Sequence, residues 1–201
     1  MPAEAAESPA LVRSHVAGLV LAAGAGRRYG MPKALVAYEG SLLVERAYRL
    51  VAGSCDPVFV VLGASYEEIV SRADLGHAAV LHNPDWDTGM ASSLRTGLNA
   101  LASGRAAGPV DAVLVHLVDL PGMTVAALQR MASYAAPDVL AVATYDGVRG
   151  HPVLLGRTHW AGAAESAIAD QGARTYLASH EVTEIECGDV ADPADLDYPP
   201  T

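Results

Sequence analysis

Short runs of β-branched and aliphatic residues alternate along the chain with longer stretches whose apolar positions recur at helical spacing. Residues 16–21 are continuously apolar and end in a glycine-rich stretch, which predicts a buried strand feeding a loop. Residues 41–52 place Leu42, Leu43, Ala47 and Leu50 on one helical face and Glu45, Arg46 and Arg49 elsewhere, with Ser41 available as N-cap. Residues 57–62 predict the next buried strand, and a helix follows near residues 66–72. A short strand at 78–81 leads to a helix at 91–101. The strand at 110–118 terminates in Asp119-Leu120-Pro121, and a helix at 125–134 precedes a strand at 139–144. This rhythm predicts an α/β fold of three layers, with a mostly parallel, Rossmann-like sheet covered by helices on both faces. Residues 141–145 and 151–155 are separated by Asp146-Gly147-Val148-Arg149-Gly150, which suggests a hairpin-like, antiparallel excursion. A last strand near 182–187 leads into an acidic, proline-containing tail. No internal repeat or linker divides the chain, so one domain is expected over residues 15–201.

Composition narrows the function classes. The 201 residues are 51% hydrophobic, and 13 basic against 23 acidic side chains leave a net charge of −10. That balance argues against a protein that binds nucleic acid by neutralising many phosphates, but a small phosphorylated ligand needs only a few local cations. Cys55 and Cys187 alone cannot build a closed zinc site, and a reduced, cytoplasmic setting is the simpler reading. No apolar run reaches the ~18–20 residues of a membrane span. Residues 1–14 contain Glu4 and Glu7 and lack a basic segment followed by an apolar one, so they read as a flexible leader and not a signal peptide.

The chemistry concentrates at strand ends. Leu21-Ala22-Ala23-Gly24-Ala25-Gly26-Arg27-Arg28 through Pro32-Lys33 follows the first strand, where open α/β sheets bind ligands. Gly24 and Gly26 let the backbone approach closely, so successive N–H groups can face phosphate oxygens. Arg27, Arg28 and Lys33 add cations within reach of a triphosphate. A P-loop is excluded, because no Gly-Lys-Ser/Thr follows. The dinucleotide fingerprint fails as well, with Tyr29 standing where Gly or Ala is required. Asn83 opens a loop that runs through Gly89 to Ser92 and Ser93 at the start of a helix, a second place where free N–H groups meet an anion or a base edge. Asp119, at the end of a buried strand, is a sensible ligand for Mg²⁺, which takes one or two carboxylates plus phosphate oxygens. His151, in Arg149-Gly150-His151-Pro152, could hydrogen-bond an acceptor or be satisfied by backbone. His116 points to the face opposite Val115 and Leu117 and reads as structural.

The string from the first strand to Pro32-Lys33 resembles the opening signature of the nucleotidyltransferases that attach a nucleotide to the molybdenum cofactor, within the larger nucleotide-diphospho-sugar transferase group. Its Ala22-Ala23-Gly24 form is similar to the cytidylyl branch, and the Asn83–Ser93 segment resembles that branch's Asn-Pro…Gly-Met-x-Ser-Ser-Leu. The resemblance implies a Mg²⁺-dependent transfer of CMP from CTP onto a molybdopterin-type cofactor, with release of pyrophosphate. It implies nucleotide contacts from Leu21, Ala22, Ala23, Gly24, Gly26, Lys33, Asn83 and Ser92. Arg28, Lys33 and Asp119 would be catalytic, Asp119 a metal ligand, and His151 would lie on the acceptor side. The tail Asp189-Val190-Ala191-Asp192-Pro193-Ala194-Asp195-Leu196 is similar to the family's Asp-Ile-Asp-Thr-Pro-x-Asp-Leu. With Pro193 aligned, the family's second metal-binding aspartate falls on Ala191, leaving Asp189 or Asp192 as substitutes. A transient contact with a molybdenum hydroxylase is part of the same implication. Guanylyl transfer, another phosphorylated acceptor, and a non-catalytic cofactor carrier stay open as alternatives. A nicotinamide-dependent oxidoreductase is disfavoured by the failed fingerprint.

Overall fold

The computed structural model describes residues 15–106 and 108–198, so the leader expected at 1–14 lies outside the described residues. The first strand, β1 (Val16–Ala22), is buried along its whole length. Its continuous apolar run still obeys the two-residue alternation of a strand, because Val16, Val20 and Ala22 face one hydrophobic layer and Ala17, Leu19 and Leu21 the other. The chain then forms a two-residue hairpin pair, β2 (Ala37–Tyr38) and β3 (Ser41–Leu42), and the helix α1 (Leu43–Ala52). The helix starts later than its periodicity suggests. Ser41 is held in β3, where its hydroxyl accepts from Arg49 at 2.7 Å, and the helix start is instead closed by Glu45 accepting the Leu42 N–H at 3.0 Å.

β4 (Val58–Leu62), α2 (Tyr66–Arg72), β5 (Ala79–His82), α3 (Met90–Ala102), β6 (Ala112–Leu117) and α4 (Val125–Ala132) follow the expected alternation. β7 (Leu140–Tyr145) and β8 (Val148–Gly156) form the anticipated hairpin, turned through Asp146 and Gly147, both at positive φ. Two short helices absent from the sequence expectation, α5 (Trp160–Ser166) and α6 (Arg174–Ala178), precede β9 (Thr183–Glu186). The seven long strands form one sheet in the order β5-β4-β1-β6-β8-β7-β9. Only β8 runs against the rest, inserted between β6 and β7.

The order fixes where a site can form. From β1 the chain moves outward through β4 and β5, then returns to place β6 on the other side of β1. The crevice beyond the carboxyl ends of β1 and β6 is therefore the switch point of the sheet. Among the described residues no helix is long and apolar enough to cross a membrane.

One core residue carries a pH consequence. His116 on β6 is 1% exposed and its Nδ1 has no partner. Burial, reinforced by nearby His151, pulls its pKa down from 6.5 to about 3. A histidine depressed in the folded state contributes stability that is complete above its unfolded pKa of 6.5 and is lost as pH falls toward 3. His116→Met, which removes the orphaned nitrogen at similar volume, should flatten the fall in Tm between pH 6.5 and 4. For a chain of this size each kcal/mol recovered is worth about 2–4 °C. Melts at pH 4.5 and 7.5 check this, and an undiminished acid loss in the variant would contradict it.

Candidate active site

The loop after β1 is shaped by a close backbone approach. Gly26 lies at φ +60° and its carbonyl accepts the Gly30 N–H at 2.8 Å. A Cβ at this position would run into the Met31 carbonyl. Both conditions demand glycine. Gly26→Ala should weaken nucleotide binding at least ~10-fold, from the ~1–2 kcal/mol left-handed penalty plus the clash. Equilibrium titration with a nucleoside triphosphate measures this, and unchanged affinity in a folded variant would refute it.

Pro32 ends the loop and Lys33–Leu35 forms a single 3-10 turn, anchored by the buried Ala34 and Leu35. This anchoring aims Lys33 across the switch point. Its Nζ donates to Asp119 Oδ2 at 2.8 Å and to Asp197 Oδ1 at 2.9 Å. Arg28 Nη1 reaches the other oxygen of Asp197 at 3.2 Å. Burial would lower the Lys33 pKa, but the hydrogen bonds and charges of Asp119 and Asp197 outweigh it and hold the pKa above its ordinary value. Asp197 is held below the ordinary carboxylate value, first by Lys33 and then by Arg28. Asp195 is pushed up by burial and by Asp119, against a smaller opposing pull from Lys33. Lys33 thus sits in a nest of carboxylates at the end of the phosphate-type loop.

The carboxylates arrive from two directions. Asp119 follows β6 directly. Asp197 comes with the C-terminal segment, which crosses the site and is tied there by Asp192 N–H to Gly122 O at 3.1 Å and Leu196 N–H to Asp119 O at 2.9 Å. Gly122 permits the crossing, because a Cβ there would lie 2.7 Å from Asp192.

A cavity of about 370 Å³ opens over this cluster. Of the expected nucleotide contacts, Leu21, Ala23, Gly24, Gly26 and Lys33 line it, together with Asp119. Ala22 faces the α1 side of the core instead. Of the two loop arginines it is Arg27 that lines the cavity, whereas Arg28 touches the site through Asp197. Asn83 is 1% exposed and donates to Ser92 Oγ at 2.8 Å and Ser93 Oγ at 3.0 Å, while its Oδ1 accepts the Asp85 N–H. It therefore fixes the loop from beneath. Ser92 turns to the Gly89 carbonyl at 2.8 Å, and Ser93 lines the cavity. His151 lies on β8, half-buried and outside the cavity wall. Burial lowers its pKa to about 4, with Asp119 opposing the shift and Arg174 adding to it. It is neutral near pH 7.

Asp189 and Asp192 are not drawn together with Asp119. Asp189 forms a two-point pair with Arg130 at 2.6 and 2.9 Å, which commits its carboxylate to α4. Asp192 accepts the Ala194 N–H at 2.9 Å and supports the tail turn. The carboxylate sharing Lys33 with Asp119 is Asp197. Among the described residues no three His, Cys, Asp or Glu side chains form a ready-made metal cage. The donor set nonetheless fits Mg²⁺, which takes hard oxygens from one or two carboxylates and leaves its other positions to phosphate and water. Trp86, Asp87, Thr88, Gly89 and Asp170 are also part of the wall.

The fold is shared with solved structures such as a nucleotidyl transferase from Methanothermobacter thermautotroptrophicus, which superimposes with a TM-score of 0.74 at 18% identity over 92% of each chain. The chain belongs to the family of the MobA-like NTP transferase domain, whose model matches residues 18–184. It is 36% identical to the nicotine blue oxidoreductase of Paenarthrobacter nicotinovorans, over 90% of this chain and 92% of that one. It is 22% identical to the molybdenum cofactor cytidylyltransferase of Escherichia coli K12, over 90% of each. A solved structure from Mycobacterium sp. strain JC1, a homologue of a Mycobacterium tuberculosis protein, superimposes with a TM-score of 0.80 at 27% identity, covering 93% of this chain and 92% of that one.

Proposed function

We propose that the chain transfers the nucleoside monophosphate part of an NTP, CTP by preference, onto the terminal phosphate of a molybdopterin-type acceptor and releases pyrophosphate. The observation that carries this reading is Lys33, paired with Asp119 and Asp197 at the foot of the glycine loop. An ammonium and two carboxylates at a phosphate-type loop suit a charged ligand that brings its own divalent cation. The loop backbone around Gly24 and Gly26 receives the phosphates, with Arg27, Arg28 and Lys33 offsetting their charge. Asp119 and Asp197 are the carboxylates that would hold Mg²⁺, which when bound neutralises charge on the reacting phosphates. The acceptor phosphate attacks the α-phosphorus, the bond to the bridging oxygen breaks, and pyrophosphate departs. A phosphate nucleophile is already ionised near neutral pH, so positioning and charge stabilisation carry the rate and no dedicated base is needed. Neutral His151 is available to hydrogen-bond the acceptor without adding charge.

The name of the Paenarthrobacter relative, nicotine blue oxidoreductase, favours a second reading, an oxidoreductase, for which a reduced nicotinamide is the electron donor to test. The Tyr29 departure from the dinucleotide fingerprint and the lysine–carboxylate cluster speak for the first. Parallel assays separate the two. Metal-dependent pyrophosphate release from CTP and acceptor supports transfer. Nicotinamide oxidation with a dye-like acceptor, and no pyrophosphate, would replace it.

A further inference from the structure

The cavity has a stretch of wall with a chemistry unlike the loop's. It is formed by Trp86, Asp87, Thr88, Gly89 and Met90 at the start of α3 and by Asp170 from the turn Ala169–Gln171, which lies between α5 and α6; of its two carboxylates, Asp170 is the one tied to α3. That turn is pinned in place. Asp170 Oδ1 accepts the Met90 N–H at 3.3 Å, and Gly89 lies so close that a Cβ there would meet the Ala169 carbonyl. Ala169 itself holds φ +46°, a left-handed conformation that a residue with a Cβ keeps only when its surroundings over-determine it. The strain therefore delivers a carboxylate to the cavity wall at a fixed position. Among the described residues the second oxygen, Oδ2, has no hydrogen-bond partner, and Asp170 takes no part in the Lys33 ion pairs.

An ionised carboxylate only accepts hydrogen bonds, and it repels phosphate. Of an NTP's parts, the exocyclic amino groups, the ring N–H of uracil or guanine and the ribose hydroxyls can donate to it. Trp86 on the same stretch of wall offers a flat apolar partner to the base. We infer that Asp170 is a specificity-determining residue that accepts a hydrogen bond from the exocyclic amino group of the base. It favours a nucleotide carrying that amino group over one with a carbonyl in its place, cytosine over uracil. This deepens the nucleotidyl-transfer reading and rests on it.

CTP and UTP share ribose and phosphate and differ along one base edge, where cytosine has the amino group beside an unprotonated N3 and uracil a carbonyl beside an N3–H, so their affinity ratio isolates contacts at that edge. Both nucleotides are titrated against the full chain, followed by tryptophan fluorescence, in the wild type, Asp170→Ala and Asp170→Asn. The wild type should prefer CTP by about 10–100-fold, the range for one hydrogen bond to a charged group. Asp170→Ala should bring the ratio close to one. Asp170→Asn keeps an oxygen for the Met90 N–H, so the start of α3 survives, and its amide can donate to the uracil carbonyl; the ratio should fall to one or invert. If both variants weaken CTP and UTP equally and keep the ratio, Asp170 serves the ribose or α3 and the inference is overturned. If the wild type binds neither nucleotide, the transferase reading falls first.

Discussion

Lys33→Ala should lower the rate of metal-dependent pyrophosphate release about 10²–10³-fold, or about 3–4 kcal/mol in the barrier, with the fold intact by circular dichroism. The size follows from what this ammonium does. It is 14% exposed and donates to two carboxylates that enter the site from β6 and from the C-terminal segment. Its raised pKa keeps it cationic through the neutral range. Removing it strips the phosphate end of its fixed cation, leaves Asp119 without its counter-ion and leaves Asp197 with the exposed Arg28 alone. Lys33→Arg should recover only part of the loss, since a planar fork cannot reproduce a point donor shared between two oxygens in so confined a place. Turnover within threefold of wild type in the alanine variant would remove Lys33 from the chemistry.

Asp119→Asn should cost a similar ~10²–10³-fold, by the same loss of one preorganised charge. The variant keeps shape, and Lys33 keeps Asp197, so the defect should appear in divalent-ion dependence more than in nucleotide affinity. Asp197→Asn should move the metal dependence in the same direction. Asp189→Asn should leave turnover close to wild type, because Asp189 is spent on Arg130. Rate against Mg²⁺ concentration for the three variants checks the assignment. A defect in Asp189→Asn equal to that in Asp119→Asn would return the second carboxylate to the position the tail motif suggests.

Those contrasts mark where the sequence is informative. β1 and β4 are continuous apolar runs and β6 is interrupted only by His116, so their strands are plain from composition. Gly24, Gly26, Lys33 and Asp119 are equally plain, because each sits at a strand end where the sheet leaves an open crevice. Asp197 is not. It reaches Lys33 only because the tail crosses Gly122 and the Asp119 backbone, a contact between segments far apart in the chain that no local spacing encodes. Asp170 is hidden for the same reason, joined to Met90 across 80 positions. The tail motif sets Ala191 where the family has its second metal aspartate and leaves Asp189 or Asp192 as substitutes, but Arg130 on α4 claims the first and a local turn uses the second. Asn83 reads from the sequence as a candidate nucleotide contact, yet its amide lies beneath the surface, where it fixes Ser92 and Ser93. The helices α5 and α6 span 7 and 5 residues, too short for an apolar period to register.

Nucleotidyl transfer at the Lys33–Asp119 pair stands or falls on pyrophosphate release from CTP, GTP, ATP and UTP with Mg²⁺ and molybdopterin-type cofactor, run beside Asp119→Asn. Release should occur with CTP above the others and be lost in the variant. Absence of pyrophosphate with all four nucleotides, from a wild-type protein that binds them, would contradict it.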